Sequence, residues 1–315
     1  MTDHLRNLGN KFQVPLPRDE NSYLGRECPN SGCQKYFKIK PGTGLTGTDL
    51  PCHCPYCGHT GPMHDFGTQN QIDYATSVVT RKVQEAVVRD LEDMARDFNR
   101  HSFNDIFSIK MGIEASPQPL RHYIEQELET DVQCASCTLQ YSIYGVFAFC
   151  PDCGVHNSIQ ILEKNLELSA KELDLASQTD NADLEEHLIG DALENVVSAF
   201  DGFGRQVMSL AGAGSAAKPD EFSFQNISAA DAKVASRFGS ALSAPLDADS
   251  WNLVVRCFQK RHLLSHKLGV IDEKYVATAN DPTACVGRKV RIDSQEVREL
   301  IKVIDVLGRH LMSLI

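Results

Sequence analysis

Eight of the eleven cysteines fall into two sets of paired knuckles. The first set is Cys28-Pro-Asn-Ser-Gly-Cys33 and, twenty residues on, Cys54-Pro-Tyr-Cys57-Gly58; the second is Cys134-Ala-Ser-Cys137 and, twelve residues on, Cys150-Pro-Asp-Cys153-Gly154. Zinc takes four soft ligands in a tetrahedron, and a short Cys-x-x-Cys turn presents two thiolates from one knuckle, so two knuckles close one site. A glycine after the second knuckle suits a turn whose backbone N–H groups point at sulfur. Such a four-thiolate site has no open position, so its expected role is a structural Zn2+ that staples a domain too small to build its own core, with no catalytic metal. A disulfide framework is the rival that a reducing compartment disfavours, and an iron–sulfur cluster is less usual with two separated knuckle pairs. At the first site Cys52 and His53 adjoin the knuckle, and either could replace a ligand. The Cys-Pro-x-Cys-Gly pattern shared with the second set favours Cys54 with Cys57.

A second constellation is Arg261-His262-Leu-Leu-Ser-His266, inside the run Trp251 to Asp272. Imidazole moves protons near neutral pH, and a guanidinium fork holds phosphate. On a helix, residues five apart point roughly 140° from one another, so Arg261 and His266 converge only if the helix ends between them or a second subunit completes the site. Arg96 with His101 and Arg256 with His262 also satisfy an Arg…His spacing of this kind. The first of these lies at the end of a linking helix, whereas Arg261 and His266 lie in a basic helical segment.

These residues need elements to position them. Ile72, Ala75, Val79, Val83, Ala86, Val87, Leu91, Met94 and Phe98 recur at spacings of three and four, which predicts one long helix over 70–99 joining the two cysteine modules. Further helices are expected over 157–177, 183–210, 229–238, 249–268 and 294–314, with a small-residue linker over 211–219 and a loop carrying Gly269, Asn280 and Pro282. Strand-like stretches, Tyr36 to Ile39 and Leu139 to Phe149, lie between knuckles as a ribbon hairpin requires. The fold class expected is α+β, with an N-terminal segment and first ribbon over 1–69, a linking helix over 70–104, a second ribbon with preceding strands over 105–156, a connecting helix over 157–182 and a helical domain over 183–315.

Charge is as uneven as the thiols. The chain of 315 residues has a formal net charge of −11, yet residues 160–231 alone hold 4 Lys and Arg against 14 Asp and Glu, while residues 251–315 hold 11 against 7. The basic end could meet a polyanion that the whole chain repels, and the acidic block could mask it in a resting state. Lys35, Lys38 and Lys40 beside Tyr36 and Phe37 are compatible with single-stranded nucleic acid, or with one solvated strand face. Glu125, Glu127, Glu129 and Asp131 before the second ribbon would repel phosphate, so a protein contact is expected there. No apolar run approaches a membrane span, and Met1 to Glu20 lacks an apolar signal core, so a cytoplasmic location is expected. A phosphate-cradling glycine loop, His-Glu-x-x-His and a nucleophile elbow are all absent from the sequence, which sets aside kinase, metalloprotease and hydrolase readings of those types.

Both cysteine sets resemble the zinc-ribbon family, over about 30 and 20 residues. The C-terminal part, roughly 183–315, resembles the HEPN superfamily of four-helix domains, whose ribonuclease members carry an arginine, four to six residues and a histidine, often with Asn, Asp or His directly after the arginine. Arg261-His262-Leu-Leu-Ser-His266 matches that fuller form, and Lys-Leu-Gly-Val-Ile-Asp after it resembles the motif's tail. The resemblance implies a homodimer with two motifs facing one cleft. It also implies metal-independent RNA cleavage in which the ribose 2′-OH attacks the neighbouring phosphate and leaves a cyclic phosphate. His266 would move the proton, Arg261 would hold the phosphate, and His262 would orient a partner or the RNA. Asp201 or Glu194 would be the supporting acid on the first helix. Defence or toxin-like effectors are the usual setting; a nucleotide-binding regulator or a non-enzymatic binding and dimerisation protein are the other readings.

Overall fold

The computed structural model describes residues 3–45, 47, 50–101, 110–211 and 222–315. All but Ala211 of the expected linker, and positions 102–109 of the expected linking helix and second module, lie outside the described residues. The chain forms two compact units, Met1–Val155 and His156–Ile315. The first is a small mixed α/β unit carrying the cysteines, and the second is helical.

The first unit runs α1 (His4–Asn7), β1 (Leu24–Glu27), β2 (Tyr36–Ile39), β3 (Pro51–His53), β4 (Thr60–Pro62), α2 (Gln69–His101), β5 (Thr130–Gln133) and β6 (Gln140–Ile143). Where the sequence suggested two ribbons separated by a helix, the structure joins them in one four-stranded sheet of order β1-β2-β6-β5. The central pair is antiparallel, with Lys38 opposite Ser142 and Ile39 opposite Tyr141. In each ribbon one strand enters the first knuckle and one leaves it, and the two leaving strands meet at the centre. The arrangement is a pseudo-two-fold. Its physical cause is burial: neither ribbon alone can enclose Phe37, Ile39, Tyr141 and Ile143, which are all buried in the shared core. The strand expected over Leu139 to Phe149 is confined to β6, since Gly145 takes a positive φ of 87° and turns the chain away.

Helix α2 has a different support. Its flanks are covered by extended chain: Gln84 Nε2 donates to the Ser116 carbonyl at 2.8 Å, and the Gln118 N–H to Gln84 Oε1 at 2.9 Å. Arg121 pairs with Asp73 at 2.7 Å, and the Tyr74 and Tyr123 rings meet edge-on at 5.7 Å. Phe12, Val14 and Leu16 line a groove of about 950 Å³ against Ile72, Ala75 and Val79.

The second unit comprises α3 (Ser158–Ala176), α4 (Ala182–Ala211), α5 (Ile227–Phe238), α6 (Ala248–Lys267), α7 (Glu273–Thr278) and α8 (Ser294–Ser313). Helix α4 is its axis, packing on α3, α6 and α8. Its buried Leu193, Val196, Val197, Phe200, Phe203 and Val207 repeat at three and four. Helix α3, which the sequence suggested as a connector, packs on α4 and α8 and is a full member of this bundle. Gly308 lets α8 approach α3, because a Cβ there would stand 2.5 Å from Leu162 Cδ2. Helix α7 replaces part of the expected loop. Asp272 caps it by accepting the Tyr275 N–H at 2.8 Å, but at six residues with one buried side chain it leaves no periodic stripe to read.

Candidate functional site

The structure gathers the eight knuckle thiols into two groups, Cys28, Cys33, Cys54, Cys57 and Cys134, Cys137, Cys150, Cys153, with the sulfurs of each group within 4.8 Å of one another. The Cys28–Cys57 and Cys33–Cys54 sulfurs lie 3.7 and 3.8 Å apart, and the Cys134–Cys153 and Cys137–Cys150 sulfurs 3.6 and 3.5 Å. A tetrahedral ion bound at about 2.3 Å requires sulfur–sulfur edges of about 3.8 Å, whereas a disulfide requires about 2.0 Å. Both groups fit a bound metal ion.

All four knuckles share one backbone device. The residue after each second cysteine, Gln34, Gly58, Thr138 and Gly154, is left-handed, with φ of 48°, 69°, 67° and 72°. That conformation turns the N–H of Gly58, Thr138 and Gly154 back onto the carbonyls of Cys54, Cys134 and Cys150 at 2.9–3.0 Å. Burial raises the Cys54 and Cys150 thiols well above their ordinary range, so these two ionise only with a strong counter-charge.

The two second knuckles are also cross-linked by hydrogen bonds. The His53 N–H donates to the Pro151 carbonyl and the Phe149 N–H to the Pro55 carbonyl, both at 2.8 Å, in a reciprocal pair. This resolves the role of the neighbours of Cys54. The His53 ring lies against Gly154 of the other knuckle, with Nδ1 at 2.9 Å from Thr60 Oγ1. Cys52 is fully buried outside the thiol group, its pKa pushed up to about 12 by burial. Sequence reasoning missed Tyr141, whose hydroxyl is buried without a hydrogen-bond partner among the described residues and whose electrostatic neighbours are the four thiols of the second group. An orphaned O–H beside sulfurs that become thiolates on metal binding suits a loaded site.

The basic and aromatic residues of the first ribbon are largely absorbed by the fold. Phe37 is buried, the Tyr36 hydroxyl donates to Glu125 at 2.5 Å, and the buried Lys38 pairs with Asp19 at 2.7 Å. Lys35 and Lys40 stack over Tyr56 and Tyr23. Of the acidic run, Glu125 is internal, accepting the Gly25 N–H at 2.9 Å as well, while Glu127, Glu129 and Asp131 stay exposed.

In the second unit α6 is capped by Asp247, which accepts the Ser250 N–H at 2.8 Å, and it continues unbroken to Lys267. It ends at Leu268, itself left-handed, where the Gly269 N–H donates to the Leu263 carbonyl at 2.9 Å. Arg261 and His266 therefore project from different sides of one helix. His262 and His266, one turn apart, do come together, with ring centroids 4.8 Å apart. Burial and the charges of His266 and Lys274 lower the His262 pKa.

Arg261 faces α4. Its Nη1 is 3.4 Å from Gln225 Oε1, Gln225 Nε2 is 3.4 Å from Asp201 Oδ2, and the buried Arg261 Nε has no hydrogen-bond partner among the described residues. Asp201 is buried and accepts the Phe224 N–H at 2.5 Å and Arg205 Nε at 3.1 Å, fastening the start of α5 to α4. Glu194 accepts the Ser265 hydroxyl at 2.8 Å. Compared with known proteins, the chain matches no family model, no curated protein and no solved structure.

Proposed function

We propose that the C-terminal unit is a metal-independent endoribonuclease of the HEPN type, acting as a homodimer in a defence or toxin-like effector. In this reading the metal-stapled unit carries two structural Zn2+ ions and docks a partner. The observation that carries it is the placement of Arg261, His262 and His266 on the last two turns of α6, in the basic C-terminal segment, with an Arg261 Nε–H that has no partner among the described residues. Arg261 holds the phosphate and stabilises the charge that builds as the 2′-oxygen attacks phosphorus. His266 moves the proton taken from the 2′-OH or given to the departing 5′-oxygen as the P–O5′ bond breaks. Because one chain sets Arg261 and His266 on different sides of α6, the cleft needs the arginine of one copy beside the histidine of the other.

The test is incubation of the metal-loaded protein with labelled single-stranded RNA and no added metal. Cleavage to cyclic-phosphate ends is expected, with a loss of about 100-fold or more in Arg261→Ala and in His266→Ala. A folded dimer that cleaves no RNA overturns the reading. The 950 Å³ groove beside α2 favours a second reading, a binding module without catalysis. It predicts that both alanine variants keep every cellular effect of the protein.

A further inference from the structure

The imidazoles of His262 and His266 are tilted by 51° at a centroid separation of 4.8 Å. Offset stacking would bring the planes near parallel and an edge contact near perpendicular, and this pair is neither. Two imidazoles that share one ion, each nitrogen at about 2.1 Å and the two bonds about 90–110° apart, have centroids about 4.6–5.3 Å apart. The pair has that separation already. No side-chain hydrogen bond or ion pair among the described residues holds either ring, and both rings have solvent access. The carboxylate of Asp272, at the start of α7, is engaged elsewhere, accepting the Tyr275 N–H at 2.8 Å and holding Lys267 at 3.1 Å, so the two imidazoles stand as a pair.

We propose that His262 and His266 form a third metal site, distinct from the two thiol sites, which takes a divalent ion of the zinc, nickel or copper class through the two imidazoles, with water completing its coordination. Imidazole donors select those ions over magnesium or calcium. Binding of the ion stands on its own geometry. Its consequence rests on the ribonuclease reading, because an ion on His266 removes the proton carrier and switches cleavage off.

The experiment uses the full chain with both thiol sites loaded. Zn2+ and Ni2+ are added by equilibrium dialysis, and bound metal is counted in the absence of RNA. One further equivalent per chain is expected, weakened about tenfold or more in His262→Ala and in His266→Ala. His187→Ala, an exposed histidine on α4, should leave it unchanged. No further equivalent at about 1 mM free ion, a weak ceiling for a two-imidazole chelate, or a further equivalent indifferent to both alanine variants, overturns the proposal. A chain that binds the third ion but cleaves no RNA overturns the ribonuclease reading alone. Where cleavage occurs, the same concentration of Zn2+ should abolish it.

Discussion

Tyr141 and Phe37 occupy matching places, each the fourth residue after the second cysteine of its first knuckle, and both are fully buried. Phenylalanine suffices in the first ribbon, so the extra hydroxyl in the second calls for a cause. A buried hydroxyl with no partner costs about 1–3 kcal/mol, and the four thiols beside it are the groups whose charge changes on metal binding. Tyr141→Phe should therefore speed metal release from the second site to a chelator severalfold, because the thiolates lose that O–H as a donor. Equal release rates in the two proteins would show the hydroxyl to be a bystander. His156 presents the converse case. It is buried, its Nδ1 accepts the Ser158 N–H at 3.2 Å at the start of α3, and burial lowers its pKa to about 4 from 6.5. The folded state disfavours the proton that the unfolded chain takes up below pH 6.5, so its stabilising effect is intact above 6.5 and fades as pH falls through 4, by up to about 3 kcal/mol. His156→Asn keeps an acceptor for the Ser158 N–H but does not titrate. Its denaturant midpoint between pH 7 and pH 4 should fall less than that of the native chain.

At the scale of elements, the reciprocal bonds between His53 and Pro151 and between Phe149 and Pro55 tie two metal knuckles into one piece. Emptying the second site by Cys153→Ser should then loosen the first, with metal leaving Cys28, Cys33, Cys54 and Cys57 severalfold faster in a chelator-competition assay. Unchanged release would mean that the shared sheet carries no coupling. This coupling is not legible in the sequence. The knuckles are, because four sulfurs on two short turns have few other uses, and so are the long helices, because stripes such as Leu193, Val197, Phe200 and Val207 run for several turns. Four-residue strands leave too little alternation to read, and the pairing of β2 with β6 spans about a hundred residues, a register that only the shared core sets. Helix α7 escaped for the same reason of length. The candidate site on α6 was legible as residue types, but its geometry depended on where the helix ends. Gly269 pointed to an end just past His266, and the turn comes one residue earlier at Leu268. The spacing of four on one helix places His262 against His266, but nothing in the sequence foretold that Arg261 would turn toward Gln225.

For the whole molecule, the charge blocks take on a structural meaning. The acidic helices α3 and α4 bind the basic end through Asp174 with Arg298 at 2.7 Å, Glu186 with Lys289 at 2.6 Å, and Glu163 with Arg309. The acidic block is thus part of the fold of the basic segment, and a fragment beginning near residue 183 would lose Leu162, Leu166 and Leu173 from the core. The two units differ in what holds them. The helical unit encloses a large aliphatic and aromatic core, whereas the core of the first unit is built largely of its own cysteines around a few side chains such as Phe37, Phe66, Tyr141 and Ile143. A structural metal of this kind contributes on the order of 10 kcal/mol to the domain it closes, more than the whole stability of a typical small domain. Calorimetry of the loaded chain should therefore resolve two transitions. Excess chelator should abolish the one that belongs to Met1–Val155 and leave the helical unit's transition within a few degrees of its place. A single transition that chelator moves as a whole would instead mean that the two units fold as one.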